Sequence, residues 1–236
     1  MDLGLAGRVA VVTAASKGLG RATAEALAAE GTKVVLNARN AAALDDLAAI
    51  LDDAIVVPGD IADPALPAHL VDAAIARWGR VDIVVGNGGG PPTGRALDIT
   101  DEQILDAVNA NALASIRLAR AAVPHMRREH WGRICFIASA SVRQPIPDLA
   151  LSNMSRTALW AWTKTAAQDL AEDGITVNLA APGLHATDRL IERGVTGRTG
   201  DPVDFGKVVA FLCSDPATFI NGVAFGVDGG AVIGLL

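Results

Sequence analysis

Seven short apolar runs, each separated from the next by a helical pattern, constrain this 236-residue chain more than any other feature. The runs fall near Val9–Thr13, Val34–Asn37, Ile55–Val57, Ile83–Gly86, Arg133–Ile137, Thr176–Leu179 and Ala224–Val227. Helical spacing fills Leu19–Glu30, Ala41–Leu51, Pro64–Trp78, Asp101–Arg128, Ser152–Glu172 and Pro202–Cys213. Such alternation predicts an α/β architecture: a seven-stranded parallel sheet, doubly wound, with helices on both faces. In a sheet of this kind the ligand sits beyond the carboxyl ends of the strands. Local signals support the helix limits. Thr100 followed by Gln103 reads as a capping box ahead of Ile104, Leu105 and Val108, while Gly31 and Gly174 read as helix stops.

The first strand runs into Thr13-Ala14-Ala15-Ser16-Lys17-Gly18-Leu19-Gly20, and a helix begins at once. A helix that starts at such a turn offers free backbone N–H groups and a partial positive charge, and Gly18 and Gly20 let the backbone approach a phosphate closely. Two glycines alone mean only a turn. Between a strand and a helix, with a second strand at the expected distance, they predict a Rossmann-type dinucleotide site. After the second strand come Ala38-Arg39-Asn40, where a carboxylate would bond the ribose of NAD. With Lys17 and Arg39 in place of that carboxylate, a 2′-phosphate is favoured, so NADP(H) is expected over NAD(H). The alternative is that Arg39 is a solvated loop residue. Beyond the third strand lie Asp60 and Ile61; Asp60 accepts from an adenine amino group on one reading and caps the next turn on another.

Bulk properties narrow the class. A hydrophobic content of 51% with 19% charged residues suits one filled domain spanning 1–236, with a short substrate loop near 184–201. The formal charge of −6 argues against a nucleic-acid surface, which needs Lys/Arg clusters. Neither a secretory leader nor a run of 18 apolar residues is visible, so no membrane partner is expected. Cys135 and Cys213 sit in apolar stretches and read as buried free thiols, which points to a cytoplasmic protein.

Further landmarks come in order: Gly86-Asn87-Gly88-Gly89 after the fourth strand, Asn111 in a helix, Ser139 after the fifth strand, Pro182-Gly183 with Thr187 after the sixth, and Val227-Asp228-Gly229-Gly230 near the end. Together with the first turn, this ordered set resembles the short-chain dehydrogenase/reductase family over essentially the whole chain, in a divergent branch near the β-ketoacyl carrier-protein reductases. Ala14 stands where the family's turn has its first glycine. The resemblance implies an oxidoreductase acting on a small-molecule carbonyl or secondary alcohol, free or carrier-linked. It also implies a homodimer or homotetramer, and an exposed apolar stretch at Ala231–Leu236 fits an interface. Asn111 and Ser139 match the family's helix asparagine and catalytic serine, and Pro182, Gly183 and Thr187 the segment that closes on the nicotinamide.

One landmark is missing. The family's Tyr-x-x-x-Lys normally lies about thirteen residues after the serine, and here that stretch places Ser152 and Arg156 at the two positions. The chain contains no tyrosine at all. An aliphatic hydroxyl is a far poorer acid than a phenol, and positioned acid–base help is worth about 10²–10⁴-fold. A guanidinium stays protonated, so Arg156 is suited to hold ribose or an anion but not to donate a proton. Two replacements are considered: His185, in the loop after Gly183, and a water held by Ser139, Ser152 and Asn111. A cofactor-binding chain that has lost the chemistry, and a non-redox dehydratase or isomerase, remain the other readings. The brief segment between Gly183 and Pro202 predicts an open pocket, and Gly88–Gly94 reads either as its mouth or as a rigid surface loop.

Overall fold

The structure, a computed structural model, describes residues 1–192, 194 and 196–235. Its strands are β1 (Val9–Val12), β2 (Lys33–Leu36), β3 (Ala54–Val56), β4 (Ile83–Gly86), β5 (Gly132–Ile137), β6 (Ile175–Pro182) and β7 (Ala224–Val227). They form one parallel sheet in the order β3-β2-β1-β4-β5-β6-β7. The order reverses between β1 and β4, which opens a crevice at their carboxyl ends. The seven expected strands are all present, with β6 running on to Pro182.

Alternate residues of each strand point to opposite faces, so every central strand feeds two cores. Val9 and Val11 of β1 join Val35, Leu118, Phe136 and Leu159 on one side, whereas Ala10 and Val12 join Leu27, Leu36, Leu44 and Phe205 on the other. The first face is covered by α3 (Leu66–Trp78), α5 (Ala114–Glu129) and α6 (Ala150–Asp169). The second is covered by α1 (Gly18–Ala29), α2 (Ala41–Ala48) and α8 (Pro202–Leu212). Gly206 lets α8 approach α1 backbone to backbone: a Cβ there would lie 2.3 Å from the Ala22 carbonyl oxygen.

The helix expected over Asp101–Arg128 is present without a break but is not regularly wound: after α4 (Asp101–Val108), the π-turn Asn109–Leu113 leads directly into α5. The Thr100 capping box does form, with Thr100 Oγ1 accepting from Gln103 N and Gln103 Oε1 accepting from Thr100 N. A short helix, α7 (Asp188–Glu192), occupies part of the segment expected as a short substrate loop. Its neighbour Thr187 stands 3.4 Å from where a Cβ of Gly18 would be, and Glu192 lies 3.8 Å from Lys17 Nζ. Thr187 and Glu192 thus lie beside the first turn. Arg193 and Val195 of the expected loop, and Leu236 of the expected C-terminal interface, lie outside the described residues. Ile233 and Leu235 are exposed.

Cys135 and Cys213 are free and buried, as expected. A hydrogen bond with Cys135, reinforced by burial, holds the Cys213 thiol well above its ordinary range. Among the described residues no helix is long and apolar enough to cross a membrane.

Candidate active site

Thr13, at the end of β1, pins the crevice shut at its base. Its Oγ1 donates to the Asn87 carbonyl at 2.7 Å and accepts from Asn87 N at 2.8 Å, joining the ends of β1 and β4. Ala15 N donates to the Asn37 carbonyl at 2.9 Å, which bends the turn toward β2. Ser16 is half-buried, Lys17 is exposed and Leu19 packs against the second core. Gly20 is required sterically, because a Cβ would stand 2.2 Å from the Ala14 carbonyl oxygen and 2.8 Å from Asn87 Nδ2. Gly18 has φ +58°, and Ala14 lies in the same left-handed region at φ +49°.

An L-residue with a Cβ is disfavoured there, and the family's glycine would relieve the strain. Allowing for the larger entropy a glycine loses on folding, Ala14→Gly is expected to stabilise the protein by about 0.5–1 kcal/mol. Urea unfolding checks this, and a less stable variant would contradict the assignment of strain to Ala14.

Past β2, Ala38 is buried, Arg39 is exposed, and Asn40 caps α2 by accepting from Ala43 N at 3.2 Å. Arg39 Nη1 lies 3.9 Å from Asp60 Oδ2, while Asp60 Oδ1 accepts from Ala62 N at 3.0 Å. The capping reading of Asp60 is thus realised, and its second oxygen faces Arg39. Ile61 packs against the first core. Sequence reasoning treated Asn37 as a strand end only; its buried Nδ2 donates to the carbonyls of Val57 at 2.9 Å and Gly59 at 3.3 Å, fastening the ends of β2 and β3 together. A buried amide just past an apolar strand was the available signal. Gly88 lies close over the Ala110 carbonyl, and Gly89 faces open space.

Asn111, Ser139, Ser152 and Arg156 come from the π-turn, the end of β5 and the first turns of α6. The π-turn leaves the Ala107 carbonyl to accept from Asn111 Nδ2 at 3.0 Å. Asn111 is buried, yet its Oδ1 has no partner, an unusual state for a polar atom. Ser139 has extended backbone and caps the 3₁₀ turn Ala140–Val142, its Oγ accepting from Ser141 N at 3.1 Å. That bond uses an acceptor position and leaves the O–H able to donate. Ser152 is buried. Arg156, also buried, donates from Nη1 to the carbonyls of Ile137 and Ala138, each at 3.0 Å. This clasp on the strand end that presents Ser139 was not foreseen from the sequence.

At the end of β6, Pro182 is followed by Gly183, which is pressed against Asp228 so closely that a Cβ would meet Asp228 Cα at 2.8 Å. The His185 ring is buried edge-on against Phe205 of α8, centroids 5.1 Å apart, with Nδ1 3.3 Å from the Gly183 carbonyl. This packing turns the ring toward α8. Thr187 is half-buried beside the first turn.

The parallel sheet, the switch point between β1 and β4 and the glycine turn define a doubly wound, Rossmann-type α/β protein. Comparison with known proteins makes the class specific. Residues 13–232 match the family model described as enoyl-(acyl carrier protein) reductase. The chain is 35% identical to versicolorin reductase stcU of Emericella nidulans, covering 96% of each sequence. It is 32% identical to the 3-oxoacyl-(acyl-carrier-protein) reductase FabG of Escherichia coli, over 95% of this chain and 97% of that one. The crystal structure of L-sorbose reductase from Gluconobacter frateurii, complexed with NADPH and L-sorbose, superposes with a TM-score of 0.95 at 32% identity over 100% of both chains. The chain belongs to the short-chain dehydrogenase/reductase family of oxidoreductases.

Proposed function

We propose that the chain is an NADP(H)-dependent oxidoreductase that interconverts a carbonyl and a secondary alcohol through a site without the family's tyrosine. The observation that carries the cofactor choice is the rim of the nucleotide crevice: Arg39 is 82% exposed and Lys17 61% exposed at their side chains, and no carboxylate stands at Ala38. A 2′-phosphate meets cations there. NADPH in the similar L-sorbose reductase supports the same reading. The cradle fits the group on this chain's own terms, since Gly20 leaves room that a Cβ would fill and α1 starts with unbonded N–H groups. On this reading Thr13, Ala15, Ser16, Lys17, Gly18 and Leu19 line the phosphates, Asn87, Gly88 and Gly89 the middle of the nucleotide, and Pro182, Gly183 and Thr187 its nicotinamide end.

When bound, the nucleotide supplies or takes up the hydride. The remaining work falls to side chains of this chain. Ser139 donates its free O–H to the substrate oxygen, where negative charge grows during reduction. Arg156 acts on Ser139 from behind, as a positioning residue, by holding the last carbonyls of β5. Ser152 and Arg156 occupy the positions of the family's tyrosine and lysine. The unpartnered Oδ1 of Asn111 accepts from a water, and that water, rather than His185, relays the proton.

The test is titration of the purified protein with NADPH and NADH, followed by nucleotide oxidation across a panel of ketones and aldehydes. Tighter binding of NADPH with slow turnover of some carbonyl is expected. Failure to bind either nucleotide would sink the cofactor assignment; tight NADPH binding with no turnover on any carbonyl would favour a cofactor-binding partner subunit instead.

A further inference from the structure

Asn109 sits where α4 gives way to the π-turn, two residues before Asn111, and both ends of its amide are engaged. Nδ2 donates to the Ala62 carbonyl at 3.1 Å, a residue 47 positions earlier in the chain, and Oδ1 accepts from Arg117 Nη1 at 2.6 Å. A guanidinium only donates and a carbonyl only accepts, so the amide has one possible orientation and no other side chain of this size serves both partners. The chain of contacts continues. Ala62 N donates to Asp60 Oδ1 at 3.0 Å, and Asp60 Oδ2 lies 3.9 Å from Arg39 Nη1. An unbroken path therefore joins α5, the turn that carries Asn111, the loop after β3 and the cation after β2.

We propose that Asn109 is a positioning residue for the nucleotide: through Ala62 it fastens the 60–62 loop in the place where Asp60 and Ile61 receive the adenosine half. The proposal rests on the NADP(H) reading above. Loops between strand and helix are the parts of such a sheet that open most easily, and this one is held from outside its own segment by a side chain of the catalytic turn.

Asn109→Asp separates the two arms. A carboxylate still accepts from Arg117, which keeps the π-turn braced, but it has no proton for the Ala62 carbonyl and repels it. Hydrogen exchange of the nucleotide-free protein over residues 59–66 is expected to quicken by about fivefold, the equivalent of one net hydrogen bond. The dissociation constant for adenosine 2′,5′-bisphosphate, which carries the adenosine half and no nicotinamide, is expected to rise by about the same factor. Affinity for reduced nicotinamide mononucleotide stays as in the parent protein, which a general loss of structure would not allow. Unchanged exchange and unchanged bisphosphate affinity in Asn109→Asp overturn the proposal. If the parent protein binds neither NADPH nor the bisphosphate, the nucleotide reading fails and takes the positioning role with it, while exchange alone still decides whether Asn109 fastens the loop. Should Asn109→Asp not fold, Asn109→Ala, which removes both arms, is compared with Arg117→Ala, which removes only the brace; faster loop exchange and weaker bisphosphate binding in the first variant alone are expected, and equal effects in both overturn the proposal.

Discussion

Replacing Ser152 by tyrosine and Arg156 by lysine together is expected to raise carbonyl reduction by about 10²–10⁴-fold, the usual contribution of a positioned general acid. Both positions lie in the first turns of α6, and Arg156 reaches the end of β5 next to Ser139; on the proposed reading, a phenol at residue 152 shares the substrate oxygen with the Ser139 hydroxyl. The lysine is needed in the same variant because a planar guanidinium clasping two carbonyls does not leave the compact ammonium that lowers a phenol's pKa. The measurement is kcat/KM with NADPH on whichever carbonyl the parent protein reduces most slowly, with Ser152→Tyr alone alongside. No gain, in a folded double variant that still binds nucleotide, would mean that the pocket is shaped for a different reaction.

The second large effect is structural. Asp82, just before β4, is completely buried and receives Arg80 Nε at 2.8 Å and Nη2 at 2.6 Å, Val9 N at 2.9 Å and, more weakly, Arg8 Nη1 at 3.4 Å. Its own backbone joins the ladders on both sides, donating to the Val9 carbonyl and accepting from Arg133 N. Asp82→Ala strands the Val9 N–H and two guanidinium groups at the amino-terminal edge of three central strands. Breaking a buried pair costs about 3–5 kcal/mol, and a value near the lower limit is expected because both arginines reach solvent. Chemical denaturation measures it. A loss below about 1 kcal/mol, the size of an exposed pair, would show that the carboxylate is dispensable. Asp82→Asn, which keeps an acceptor for Val9 N, is expected to fall between the two.

How much of this was readable in advance depended on how local each cause is. Every strand was legible, because a strand buried on both faces must be an apolar run and the chain carries seven such runs in alternation with helical spacing. The glycine turn was legible because it falls between a strand and a helix, although Gly20 answers to Asn87 as well as to the nearby Ala14 carbonyl. The direction of His185 was not, since it is decided by Phe205, twenty residues further on and on another helix. Arg156 was read as a hand extended to ribose; that it also holds the main-chain carbonyls of Ile137 and Ala138 at the end of β5 carries no sequence signature. Asn37 and Asn109 were passed over likewise, because each acts on a backbone carbonyl from a distant strand or loop.

The π-turn at Asn109–Leu113 also limits how this chain can vary in length. Each residue added to or removed from a helix rotates all its later turns by about 100°. Deleting one residue within the π-turn would restore a regular winding and leave Leu118, Ala119, Ala122 and Met126 facing the sheet, because the wider turn already absorbs that residue, whereas a deletion between the π-turn and Leu118 would swing them toward solvent. Between Asp101 and Glu129 a one-residue change is thus absorbed only at the π-turn, and other drift in chain length during descent falls to segments such as 88–100, where no buried stripe keeps count.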